Sequence, residues 1–115
     1  MNAIETVNNI LDVLKHKYSQ QFTDFKTSVF ANKVIRPVIP NESHFDLIMV
    51  ELLRFFYIKS HINDDISPSG LIDQVWHVLL LYPKFYITVC CLIAKQELQL
   101  KMDKITMNLS LIIIH

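Results

Sequence analysis

Four residues near the middle of the chain carry reactive groups at regular spacing. Asp73 and His77 form a D-x3-H pair, and Tyr86 and Cys90 form a Y-x3-C pair. All four lie in the stretch SPSGLIDQVWHVLLLYPKFYITVCC, Ser67 to Cys91, which also holds the only Gly, the only Trp and both Cys residues of the chain. A carboxylate, an imidazole and a thiol are the parts of a thiol enzyme, where an electropositive neighbour activates the sulfur. Asp73, His77 and Cys90 are also legitimate Zn²⁺ ligands, but the ion takes four such groups. No second His stands near His77, no C-x-x-C is present, and His16, His44, His61 and His115 show no ligand spacing. An enzyme reading, metal-dependent or thiol, therefore rests on Asp73, His77 and Cys90 as a degenerate set.

Helical geometry offers quieter readings of the same residues. At about 100° per residue, Leu71, Ile72, Val75, Trp76, Val78 and Leu79 gather on one side of a helix. Asp73 and His77 fall together on the other. They are then a solvated i,i+4 pair, worth about 0.2–0.5 kcal/mol. Alternatively one of them is buried and bonds a neighbouring loop, fixing the corner at Pro83. On the next helix Tyr86, Val89, Cys90 and Ile93 lie near the middle of a wide apolar face. Cys90 is then a small buried hydrophobe. Trp76 reads as a core anchor, because no polar orienting groups accompany it as they would in a cofactor pocket.

The elements around this stretch are helical in pattern. Asn2 with Glu5 reads as a capping box, and Ile4, Val7, Ile10, Leu11, Leu14 and Tyr18 follow at helical spacing. A helix is predicted over about Ala3 to Tyr18. Phe22, Phe25 and Phe30 are ambiguous, and fit a short second helix capped near Thr23. RPVIPNES breaks the chain through Pro37 and Pro40. Ser43 to Ser60 carries Phe45, Ile48, Met49, Leu52, Leu53, Phe55 and Phe56 on one broad face, with Leu47, Val50 and Ile58 opposite. Such a helix is predicted to be central and packed on more than one side. A fourth helix is predicted from Pro68 to Leu81, with Ser67 as cap and Pro68 in the first turn. Pro83 marks a corner and starts a fifth, to about Leu100. The apolar end, MNLSLIIIH, fits a strand, a docked tail or an irregular segment.

Totals narrow the classes of function. The chain has 115 residues, enough for a single core. It is 51% hydrophobic and 19% charged, with 11 basic and 11 acidic residues. That balance leaves no cationic footprint for a phosphate backbone, so no nucleic-acid partner is expected. A single Gly excludes the glycine-rich phosphate loops and disfavours tight hairpins. The adjacent cysteines do not suit the usual disulfide geometry, which points to a reducing compartment. The first residues lack the basic start and apolar run of a signal peptide. The most apolar region, Val75 to Ala94, is interrupted by His77, Pro83 and Lys84, and reads as two buried helices rather than a membrane span.

The segment SPSGLIDQVWHVLLLYPKFYITVC resembles the signature of the plant and microbial family called glycine-rich domain-containing-protein-like. In that family S-P-S-x-x-V-D-x-V-W-H-x-H-L-L-x-x-x-x-Y-x-x-x-C recurs. Ser67, Pro68, Ser69, Asp73, Val75, Trp76, His77, Leu80, Tyr86 and Cys90 match it here. The family's second His is replaced by Leu79, and the His-Pro element and glycines that follow in relatives are missing. The resemblance implies no established enzymatic reaction. It implies only loose links to stress, development or RNA-related processes, which belong to other domains of those larger proteins.

The expectation is an all-α, single-domain bundle of four to five helices. Residues 1–100 would form the domain, with the signature at 67–91, and 101–115 a divergent tail that reads as truncated. The function expected is a small intracellular, cytoplasmic helical module with a structural or protein-interaction role and an unidentified protein partner. No cofactor is expected. Ser67, Pro68, Asp73, Trp76, His77, Tyr86 and Cys90 would be its structural signature. The alternatives are the Asp73, His77 and Cys90 enzyme, and a gene fragment with an aberrant end.

Overall fold

The computed structural model describes the backbone of residues 3–114 except 40, 63 and 69. Side chains are described for the same residues except 3, 97, 100 and 108–114. Within that range the chain forms five α-helices and no strand: α1 (Ala3–Lys17), α2 (Ser19–Ala31), α3 (Phe45–His61), α4 (Gly70–Leu79) and α5 (Pro83–Ile114). The predicted all-α bundle is what the chain adopts. The capping box at Asn2 lies outside the described residues.

α1 buries Val7, Ile10, Leu11 and Leu14 along one stripe, as its spacing predicts, while Ile4 is exposed. Lys15, His16 and Lys17 complement the negative end of the helix dipole. His16 also donates from Nδ1 to the carbonyl of Asp12 at 2.8 Å. A single residue, Tyr18 (φ −120°, ψ 40°), separates α1 from α2. α2 therefore starts at Ser19, four residues before the expected cap at Thr23. It buries Phe22, Phe25, Val29 and Phe30.

Two asparagines organise the proline-containing connection. The Asn32 side chain accepts from the backbone N–H groups of Val34 (2.9 Å) and Ile35 (3.0 Å). This Asx turn folds the chain back after α2. Ile35 and Ile39 consequently enter the core. Asn41 then accepts from the Ser43 N–H at 3.0 Å and caps a 3₁₀ turn, Glu42–His44, that runs into α3.

α3 is central: it contacts α1, α4 and α5. It buries Phe45, Ile48, Met49, Leu52, Leu53 and Phe56. Leu47 and Ile58 stay exposed, so the reverse side of α3 is only partly covered. Phe45 meets three rings of α2, with centroids 5.5 Å from Phe22, 6.0 Å from Phe25 and 5.8 Å from Phe30. Phe85 of α5 closes the cluster, 5.4 Å from Phe25. Near the surface the Lys15 ammonium pairs with Asp46, joining α1 to α3.

α4 and α5 meet at a bend of 114°. Tyr82 is the corner: its N–H donates to Leu79 O (2.9 Å) and its carbonyl accepts from Tyr86 N–H (2.9 Å). Its hydroxyl shares a hydrogen bond with Ser28 of α2. Pro83 occupies the first position of α5, where a missing N–H costs nothing. No single helix among the described residues is long and apolar enough to cross a membrane. α4 and α5 reach that length and composition only when taken together, and the bend separates them.

Two expectations need correction. Ser67 and Pro68 lie before α4, not in its cap and first turn. α4 opens instead at Gly70, whose φ of +59° is a left-handed conformation. The terminal segment is not a strand or irregular tail: α5 continues to Ile114. Residues 101–110 hold neither Gly nor Pro, so nothing stops the helix there.

Phe25→Ala should lower the unfolding free energy by about 3–5 kcal/mol, read from urea denaturation. Gly70→Ala should cost about 1 kcal/mol through backbone strain alone, because no atom lies within 4 Å of an added Cβ. An unchanged midpoint in either variant would contradict the assignment.

Candidate functional site

α4 and α5 carry the candidate residues and divide them between two places. On the outer side of α4, His77 Nε2 lies 3.3 Å from Asp73 Oδ2. The His77 side chain is 62% exposed and that of Asp73 33% exposed. This is the solvated i,i+4 pair of the simplest sequence reading, and a surface pair of this kind is worth about 0.3–0.5 kcal/mol.

The second place is an open cavity of about 230 Å³ between α3 and α5. Phe56 and Lys59 line it from α3, and Tyr86, Cys90 and Ile93 from α5. Tyr86 stacks on Phe56, with centroids 5.8 Å apart and planes 29° apart. Neither Asp73 nor His77 lines this cavity. Among the described residues no group of three or more His, Cys, Asp or Glu side chains is placed to hold a metal ion. The sequence therefore marks Asp73, His77 and Cys90 together, but the fold gives the pair and the thiol different surroundings.

Cys90 is not the buried hydrophobe expected; both cysteines are exposed. The reason is rotational. α5 packs through Phe85, Val89 and Ile93. Cys90 sits about 100° round the helix from Val89. Although the residue as a whole is exposed, its thiol lies against the cavity wall. That partial burial pushes its pKa up, and the neighbouring Cys91 adds to the shift by repelling a second negative charge. Such a thiol is less ionised near neutrality than a free one, the reverse of what a nucleophile requires.

Trp76 packs on the flank of the core rather than at its centre. Its ring lies 5.8 Å from Phe55 and 6.1 Å from Phe56. The Lys59 ammonium stands 5.0 Å over the indole and 5.8 Å from the Phe55 centroid. Indole Nε1 is buried without a hydrogen-bond partner among the described residues. Lys59 carries no motif of its own in the sequence. Its position three and four residues after Phe56 and Phe55 places all three on one helical face, which is the signal that marks it. Ser67 is exposed, Pro68 lines an open surface cavity together with Phe55 and Ile72, and Ser69 lies outside the described residues.

Comparison of the chain with protein-family models, with curated proteins and with solved structures finds no match.

Alkylation of Cys90 by iodoacetamide should reach half its maximal rate at a pH above the ordinary thiol range. Cys91→Ser should lower that pH, since it removes the neighbouring charge. Fast alkylation of Cys90 near pH 7 would restore the thiol-enzyme reading. His77→Ala should leave stability within about 0.5 kcal/mol of wild type, measured by urea denaturation; a larger loss would mean that the imidazole is structurally engaged.

Proposed function

We propose that the chain is a small intracellular helical module that works by binding protein. In this reading the Ser67–Cys91 segment is the structural signature of the glycine-rich domain-containing-protein-like family. Trp76 and Tyr86 brace α4 and α5 against α3 within it, and the Asp73–His77 pair decorates the outer surface. A cytoplasmic setting suits the reading, because Cys90 and Cys91 would remain reduced there.

One observation carries the proposal. α5 is apolar on two opposite sides. One side, Phe85, Val89 and Ile93, is buried in the bundle. The other holds Ile87, Cys91, Ala94, Leu98, Met102 and Ile105, all of them exposed. A helix that is apolar on both sides is ordinarily covered on both. Residues of this kind arranged in a row mark an interaction surface, whereas single exposed apolar residues do not.

A photo-reactive amino acid in place of Met102 should give a few protein adducts of discrete mass when activated in cells expressing the chain. The same group in place of Gln74, exposed on α4, should give none. Diffuse or equal labelling from the two positions would overturn the proposal.

A further inference from the structure

Resting on that reading, we propose that the partner of the outer face of α5 is a second copy of the same chain, joined α5 to α5. The face begins beside the bundle and runs beyond it. Past Gln96, every described side chain of α5 as far as Met107 is exposed. α5 is 32 residues long, or about 48 Å at 1.5 Å per residue. It gives the molecule a long axis of 61 Å against 31 and 23 Å across. A helical arm without tertiary packing is marginal in water, because most helix stability in proteins comes from burying an apolar face.

The spacing of the exposed residues says what kind of surface would cover them. Ile87, Cys91, Ala94, Leu98, Met102 and Ile105 are separated by four, three, four, four and three residues. In the sequence Leu109 and Ile112 continue at four and three. This is the alternation of a helix-to-helix seam, with one extra four-residue step. At about 100° per residue the row lies opposite Phe85, Val89 and Ile93. Pairing would therefore leave the bundle contacts of α5 intact. A second copy supplies a helix with the same row, and a two-fold arrangement lets each row cover the other.

Charge is compatible with the same occupant. None of the six exposed positions carries a charge, so two copies can meet without burying an ion. The charged residues of α5, Lys84, Lys95, Glu97, Lys101, Asp103 and Lys104, are of both signs. A membrane-surface helix would instead set a cationic face against its apolar one. Size points to a weak pairing. The described row, Ile87 to Ile105, runs about 27 Å at 1.5 Å per residue, and a strip about 10 Å wide covers roughly 270 Å². This is well under the about 800 Å² per partner of a standard interface, so self-association is concentration-dependent.

Sedimentation equilibrium of the full chain over about 1–200 µM, a range suited to weak association, tests the inference. The 13.5 kDa chain should pass from monomer to dimer across the range. Leu98→Glu combined with Ile105→Glu should hold it monomeric while its circular dichroism melt stays cooperative. Val34→Glu, a charge at an exposed apolar site away from α5, should leave the dimer unchanged and so controls for a loss of folding. A wild-type chain that stays monomeric throughout overturns the inference, and so does a dimer that survives the double variant. A monomeric chain that still gives discrete Met102 adducts of another mass removes the self-pairing alone. A monomer without such adducts removes the interaction reading as well. Co-flotation of the monomer with neutral phosphatidylcholine vesicles, abolished by the double variant, would assign the face to lipid and overturn the pairing.

Discussion

Contact between Phe45 and the aromatic face of α2 is the interaction on which the bundle depends. Phe45 is the first residue of α3, directly after the 3₁₀ turn capped by Asn41. Phe45 is 1% exposed, and its ring meets Phe22, Phe25 and Phe30. Edge and tilted ring pairs of this kind contribute about 0.5–1.5 kcal/mol each beyond their buried area. Phe85 joins the cluster from α5, and Tyr82 reaches the same helix through Phe25 and Ser28. The corner between α4 and α5 is therefore held by α2, through Ser28, 54 residues before Tyr82, and through Phe25. Once that corner is fixed, the positions of Trp76, His77 and Cys90 follow.

α5 then has to satisfy two surfaces. Its inner residues complete the core, and its outer residues form a second apolar row facing solvent. The Asp73–His77 pair lies on the outer side of α4, and Cys90 lines the cavity between α3 and α5. An imidazole on an open surface and a thiol with a raised pKa do not make an activated pair. The cavity beside Cys90 is aromatic on one wall and carries Lys59 at its edge, but Lys59 is engaged over Trp76 and Phe55.

Much of the fold is legible in the residues, and the failures are physically specific. α1 and α3 are amphipathic enough for their buried faces to follow from spacing alone. Pro83 announces its corner because a first-turn proline loses no bond. The start of α2 is hidden because Tyr18 breaks the chain with neither Gly nor Pro to mark it. Ser67-Pro68 imitates a helix start, but the positive φ at Gly70 makes the turn two residues later. The burial of Cys90 is misread because α5 has apolar residues on opposite sides. Periodicity then shows that faces exist without showing which one meets the bundle. The same ambiguity makes the terminal apolar run look like a strand or tail, although no helix-stopping residue precedes it.

Hydrogen exchange along α5, followed as a function of protein concentration, is the most direct test of a helix covered on two sides. Amides of the inner turns around Phe85 to Ile93 should be equally protected at every concentration, because the bundle itself covers them. Amides from Leu98 to Met107 should exchange quickly in dilute solution and slow progressively as the protein is concentrated. Exchange over Leu98 to Met107 that does not vary with concentration would contradict the account.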